Sequence, residues 1–314
     1  MHRLDYTEIK GNWATLLLAT DEKGRLDIAR LTDEIDLLIA SKPCGIYSNG
    51  TAGEFYTQGE TEFTQISELL SGRCEKAGVP YQIGVSHPCP QTSLKRLRLI
   101  RDLRPGAVQL ILPDWFPPSD YEVLTFMETM EGEADGIPLI LYNPPHAKRI
   151  LKPGGWMKIK DRIPSFVGVK VSDNGADLQW YEEVRKTVKG LSVFIPGHHL
   201  ATGISSGCQG AYSNVAALNP FGAQKWYEMM IEDMPAALEL EKRIQAFMNE
   251  CITPFITEKG YANHACDRFM AMVGNWSDVG GYMRWPYRSI PLEYVKPVRT
   301  RGHELIPELI NDTL

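Results

Sequence analysis

Short apolar runs alternate with longer amphipathic stretches along most of the chain. Eight of the runs have the length and the β-branched and aromatic content of buried strands, and they span residues 13–19, 44–50, 79–85, 107–113, 137–143, 165–172, 191–197 and 210–215. Helix-length segments such as "ARLTDEIDLLIAS", "TEFTQISELLSGRCEKAG" and "DYEVLTFMETMEGEA" lie between them. Strand and helix in alternation make βαβ units and a parallel sheet. Near-continuous apolar strands suit a sheet whose outer face is covered by helices. Eight units within about 215 residues match the count that closes a (β/α)8 TIM barrel. A doubly wound open sheet is the competing arrangement, but "LLLATDEKGRLD" after the first strand carries no GxGxxG phosphate fingerprint. The pattern predicts the barrel.

Beyond residue 218 the pattern changes and stays helical. Asn219 is a good N-cap ahead of Pro220 at the first helical position. Three amphipathic segments follow, and no linker rich in Pro, Gly or Ser separates them from the strands. The expected organisation is a barrel over residues 1–218 carrying the catalytic site, with a C-terminal helical extension over 219–314 packed on it.

Composition narrows the partners. The chain has 314 residues, 43% of them hydrophobic, enough for a sizeable core. A net charge of −6 with no basic run argues against nucleic acid and anionic membrane. No eighteen apolar residues occur in a row, and "MHRLDYTEIKGNW" lacks the pattern of a secretory signal. The expectation is a soluble, cytoplasmic protein. Its six scattered cysteines read as reduced thiols, with neither a disulfide framework nor a zinc site.

In barrels of this kind the site lies at the carboxyl ends of the strands. The sixth strand carries Lys170 in "FVGVKVSD". A period of two puts Gly168, Lys170 and Ser172 on one face and Val167, Val169 and Val171 on the other. The valines suit the helix-covered side, so Lys170 points inward. A lysine that loses its hydration there has a lowered pKa, which frees a nucleophile for carbonyl carbons. The plainer alternative is a lysine paired with a buried carboxylate. In "YNPPHAKR" Tyr142 shares the inward face of the fifth strand with Ile140 and Pro138. A phenol so placed can pass protons to and from a substrate oxygen, or it can simply fill the core. After the second strand comes "SNGTAGEF", where Gly50 and Gly53 permit a tight turn whose amides suit a carboxylate. Thr51 adds a hydroxyl.

"GTAGE", "YNPP" and "GVKVS" at these spacings resemble the dihydrodipicolinate synthase and N-acetylneuraminate lyase family, and the likeness runs over nearly the whole chain. The resemblance implies a (β/α)8 barrel with a C-terminal helical domain, assembled as a homo-oligomer (tetramer or dimer), with no metal or cofactor. It implies that Lys170 forms an imine, that Tyr142 shuttles protons, and that Thr51 orients Tyr142. Amides along Gly50, Thr51 and Ala52 would hold the pyruvyl carboxylate.

The departures are as informative. Ala52 stands where the family usually has a second Ser or Thr. Trp115 in "LPDWFPP" falls where synthases place a tyrosine that a neighbouring subunit inserts. Ala147 occupies the place of the synthase arginine, with Lys148 and Arg149 just beyond. Ser172 keeps the hydroxyl of sugar-acid lyases, while His198 and His199 in "PGHHLA" stand where lyases carry acidic residues that bind substrate hydroxyls. Adjacent histidines on an extended chain point apart and chelate poorly, so a polar contact to substrate is expected from them before a metal. Trp115 and Tyr212 are aromatic candidates for substrate contact at the barrel mouth. The expected activity is a class I Schiff-base lyase releasing pyruvate from a 2-keto acid such as a 2-keto-3-deoxy sugar acid or a sialic-acid-like substrate. A dehydratase or hydratase-aldolase using the same imine is one alternative; a non-catalytic binding barrel is another.

Overall fold

Eight parallel strands close on themselves in chain order, so that β1 (Gly11–Thr15) pairs with both β2 (Gly45–Ser48) and β8 (Gly210–Ser213). Between them run β3 (Tyr81–Gly84), β4 (Ala107–Leu110), β5 (Leu139–Asn143), β6 (Phe166–Val171) and β7 (Ser192–Phe194). The computed structural model describes residues 1–311. The strands are followed in turn by α1 (Ile28–Ala40), α2 (Glu60–Ala77), α3 (Pro90–Ile100), α4 (Asp120–Glu133), α5 (Pro153–Arg162), α6 (Leu178–Thr187), α7 (Leu200–Ser205) and α8 (Asn214–Leu218). This is a (β/α)8 TIM barrel, as the alternation of the chain predicts. Among the described residues no helix is long and apolar enough to cross a membrane.

The polypeptide then continues as α9 (Pro220–Glu232), α10 (Met234–Phe247), α11 (Thr253–Thr257), α12 (Asn263–Gly274) and α13 (Val295–Leu305). Asn219 caps α9 as its position suggests, its Oδ1 accepting from Phe221 N at 3.0 Å and Gly222 N at 3.1 Å. A single π turn, Met248–Ile252, joins α10 to α11. Turns of this kind recur at functional sites, and Met248 and Ile252 both reach the cavity described below. α12 lies against α8 at the top of the barrel. The approach is so close that a Cβ on Gly274 would fall 1.6 Å from the Leu218 carbonyl oxygen, so only glycine fits.

Two apolar layers follow from the strand period. Residues on the outer face pack under the helices, while Trp13, Tyr47, Ile140, Phe194 and Tyr212 fill the barrel itself, with Leu4 and Ile9 of the N-terminal segment in the same cluster. Two sequence readings need correcting. The first strand starts and ends earlier than its apolar run: Leu16 to Ala19 lie beyond it, and Leu17 N donates to Glu34 Oε1 at 2.7 Å. The leucines belong to the helix-facing layer. Val167 also faces the interior, not the helices. The ladder of β5 and β6 steps from Leu139↔Phe166 to Ile140↔Gly168, and the skipped residue is turned inward by this bulge.

The loop after β2 is tied to the C-terminal helices by a buried ion pair. Arg268 on α12 donates from Nη2 to Glu54 Oε1 at 2.6 Å and to the Leu18 carbonyl, and from Nη1 to the carbonyls of Val279 at 2.9 Å and Gly280 at 3.1 Å. Glu54 is 0% exposed and has a left-handed backbone, φ 52°, which few non-glycine residues adopt without support. Arg268→Met strands this carboxylate without its cation and should lower unfolding free energy by about 3–5 kcal/mol. The double replacement Glu54→Gln with Arg268→Met should cost less than the single one. Chemical denaturation of the two variants measures both.

Candidate active site

Lys170 and Tyr142 are direct partners in the ladder between β5 and β6. Side chains at paired positions of a parallel sheet share a face, so the 27 residues between them in the chain collapse to one contact. Lys170 Nζ sits 4.2 Å from the centre of the Tyr142 ring, 5.3 Å from that of Tyr212 and 5.6 Å from that of Tyr47. It thus has an aromatic face on three sides. Burial pushes its pKa down to about 8, against a smaller opposing pull from Asp267. Tyr142 is raised above the ordinary phenol value by burial, with a hydrogen bond to Thr51 working the other way.

The cavity above the lysine has a volume of about 280 Å³. Thr51, Ala52, Tyr142, Lys170, Ser172, His198 and Tyr212 all line it, so the structure gathers most of the residues singled out by sequence. The turn that carries Thr51 is built differently from the expectation. Neither Gly50 nor Gly53 has a positive φ; Asn49 at 55° and Glu54 at 52° take the left-handed positions. Gly50 is needed for space instead, because a Cβ there would lie 2.4 Å from the Tyr47 ring. It lies outside the cavity lining. The amides of Thr51 and Ala52 donate to no acceptor among the described residues, which leaves two N–H groups at the cavity edge for a carboxylate.

His198 and His199 part company. His198 lines the cavity; its Nδ1 lies 2.9 Å from Asn214 Nδ2, whose amide must donate, so Nε2 carries the proton. Burial, together with His199, pushes its pKa down to about 4, so the ring is neutral near pH 7. His199 lies outside the lining. Its Nδ1 meets Asp173 Oδ2 at 2.8 Å, and Tyr181 Oη donates to the same carboxylate oxygen at 2.6 Å, so this ring is committed to the scaffold. Ser172 keeps a hydroxyl in the cavity that accepts from Asn174 N at 3.2 Å. Trp115 lies outside this cavity's lining: it is 78% exposed, and Lys148 Nζ sits 4.8 Å from its ring centre. A tryptophan in a loop between prolines carries no periodicity to fix its direction. Among the described residues no three His, Cys, Asp or Glu side chains are grouped as a metal site would require.

Three cavity residues were not anticipated. Asn214 follows directly from β8, and Asn263 and Asp267 come from α12. The Asp267 carboxylate has no hydrogen-bond or ion-pair partner among the described residues, and burial pushes its pKa up to about 6 while Lys170 pulls it down. A signal was available in "HACDRFMAM": a helix apolar on nearly every side leaves no solvent face for an Asp-Arg pair, so each must meet something polar.

The chain is similar to known proteins over nearly its whole length. The N-acetylneuraminate lyase of Escherichia coli strain K12 is 24% identical over 309 residues, covering 96% of this chain and 99% of the lyase. Among solved structures, an E. coli K12 prophage protein of the dihydrodipicolinic acid synthase family, in complex with pyruvate, superposes with a TM-score of 0.83 at 18% identity over 95% of this chain and 98% of its own. Ruminococcus gnavus sialic acid aldolase gives 0.82 at 17% identity, over 96% of this chain and 100% of its own. These structures share the fold. Residues 8–293 match the dihydrodipicolinate synthetase family, and the chain belongs to that family of class I aldolase lyases.

Proposed function

We propose that the protein cleaves, or in reverse forms, a 2-keto-4-hydroxy acid through an imine on Lys170, with pyruvate as the invariant half. The observation that carries this reading is an amine held by three tyrosine faces, with Tyr142 as its ladder partner. A pKa of about 8 makes about one lysine in ten a free amine at pH 7, against roughly one in three thousand at the ordinary value. The free amine adds to the C2 carbonyl. The Tyr142 phenol gives its proton to the departing hydroxyl, water leaves, and a protonated imine and a phenolate remain. The phenolate takes the C4 hydroxyl proton, the C3–C4 bond breaks, and its electron pair enters the iminium to give an enamine and an aldehyde. Tyr142 returns the proton to C3, and water attack on the iminium, with loss of a proton to the phenolate, regenerates amine, phenol and pyruvate. The free amides of Thr51 and Ala52 hold the pyruvyl carboxylate. Ser172, His198, Asn214 and Asp267 offer donors and acceptors to a hydroxylated chain, which favours sugar-acid substrates. The exposed Trp115 and Phe116, 78% and 76% accessible, favour assembly of several copies.

Pyruvate with cyanoborohydride should leave a reduced three-carbon adduct on Lys170, read by peptide mass. Its rate should climb with pH and level off above about 8, because only the free amine adds. Asp267→Asn removes the negative charge that favours the ammonium, so the midpoint should move to lower pH. A midpoint near 10 in the wild type, or an adduct on another lysine, contradicts the assignment.

Tyr142→Phe keeps the ring beneath the lysine and deletes the proton carrier. Turnover should fall by about 10²–10⁴-fold while slow trapping of pyruvate persists. Thr51→Val should lower turnover less, since the phenol remains. Near-normal cleavage by the phenylalanine variant would reduce Tyr142 to a packing residue.

A further inference from the structure

Two glutamines sit inside the barrel without reaching the cavity. Gln82 on β3 and Gln109 on β4 are fully buried and absent from the lining around Lys170. Gln82 Oε1 accepts from Tyr212 Oη on β8, and Gln109 Oε1 accepts from Tyr47 Oη on β2. Each tie crosses the interior, because neither strand pair is joined in the ladder. A carboxamide oxygen can only accept, so both phenols must donate, and their protons are committed there. The amide nitrogens Gln82 Nε2 and Gln109 Nε2 are buried without a partner. Aliphatic side chains would fill this space with no such loss, and a polar pair kept against packing points to the site it supports. Tyr142 differs. Its one hydrogen bond among the described residues is to Thr51, and both residues line the cavity.

Resting on the imine reading above, we propose that Gln82 and Gln109 are positioning residues for the amine. By taking the protons of Tyr212 and Tyr47 they hold two rings as bare faces beside Lys170, and they leave Tyr142 as the one phenol that exchanges a proton with substrate. Three like side chains are thereby divided into two classes. Lys170 Nζ lies 5.3 Å from the Tyr212 ring centre and 5.6 Å from that of Tyr47, within reach of attraction between cation and ring. With free hydroxyls, three acids would compete for each proton of the cycle. A directed hydrogen bond to a buried amide removes two of them from that competition. Burial also holds both phenols above their ordinary value, so neither ionises near neutral pH. Tyr47 and Tyr212 touch each other, with ring centres 4.8 Å apart, so a tie on one limits the other. Each glutamine thus acts on Lys170 only through a ring.

Pyruvate alone serves as the probe, in two measurements. One is the pH profile of cyanoborohydride trapping on Lys170; the other is exchange of the pyruvate methyl protons in deuterium oxide, followed by proton NMR, which needs the enamine and a working proton carrier. Gln82→Met keeps the volume and removes the acceptor. Tyr212 then has a buried hydroxyl without a partner, which draws in water or tips the ring, and the amine regains hydration. The trapping midpoint should rise by about one unit from its wild-type value of about 8. The other groups facing the amine, Tyr142 from β5, Tyr47 from β2 and Asp267 from α12, with His198 in the same lining, are unchanged, so the shift reports hydration. Tyr212→Phe combined with Gln82→Met removes both partners and keeps the ring. Its midpoint should return to within about 0.3 units of wild type. Its exchange rate should stay within about threefold of wild type, whereas Tyr142→Phe alone should lose about 10²–10⁴-fold. Tyr47→Phe and Gln109→Met give the same cycle at the second tie and decide the matter where a Gln82 variant does not fold. An unmoved midpoint in Gln82→Met, whatever its melting temperature, reduces the glutamine to packing and overturns the proposal. A loss of about 100-fold in the double variant also overturns it, because the Tyr212 hydroxyl would then carry a proton. Absence of any adduct on Lys170 in the wild type overturns the imine reading instead, so the two failures are told apart.

Discussion

The barrel mouth is organised around one amine that must be kept out of water without being tied down. A carboxylate within hydrogen-bonding reach would stabilise the ammonium and raise its pKa, leaving little free amine near neutral pH. Full burial among aliphatic groups would make the charged form too costly to visit. Lys170 stands between these limits. The faces of Tyr142, Tyr212 and Tyr47 attract a cation but cannot accept its proton in a directed hydrogen bond. Asp267 adds charge across the cavity without forming an ion pair. The outcome is a lysine that can give up its proton and recover it near neutral pH.

That balance needs rings that do not move. Tyr212 packs at a tilt between Tyr47 at 4.8 Å and Phe194 at 4.6 Å, with Trp13 edge-on at 6.1 Å. Tyr212 Oη donates to Gln82 on β3 and Tyr47 Oη to Gln109 on β4, so each phenol is anchored to a strand that is not its ladder neighbour. Branched aliphatic layers usually fill such barrels. Aromatic rings and glutamines replace much of that filling here, and they convert the interior from mere packing into the floor of the site. Because each ring contacts the next, a cavity opened at Phe194 or Trp13 would loosen the cage around Lys170.

How much of this could be read from the chain follows from which forces leave a local trace. Eight buried strands leave one, and the barrel was legible. Lys170 stood out because a charge among valines contradicts its surroundings, and Tyr142 because two prolines fix its strand end. Val167 was misread because a one-residue bulge inverts the alternation without any change in composition. His199 and Trp115 sit in loops, where no period assigns a direction, and they turned to Asp173 and to solvent. The glycine turn was recognised, but the left-handed residues in it are Asn49 and Glu54, held there by long-range partners. Asp267 was hidden more deeply still. It is separated from Lys170 by 97 residues, and only the closure of α12 over the barrel brings the two charges together.

α12 therefore does more than cover the barrel. Through Arg268 it fixes the loop that carries Thr51, and one residue earlier it turns Asp267 toward Lys170. One turn further back it gives Asn263 to the cavity above Lys170. These tasks are coupled by geometry: adjacent residues on a helix diverge by 100°, so a helix serving loop and cavity at once can do both in only one rotation and height. Gly274 against Leu218 and Trp276 Nε1 on the Ala217 carbonyl, at 2.9 Å, set that height. A change that shifts α12 on α8 would accordingly alter the Thr51 loop and the charge facing Lys170 together. The placing of Thr51 and the charge that Lys170 faces are in that sense one structural variable, set by the seating of a single helix.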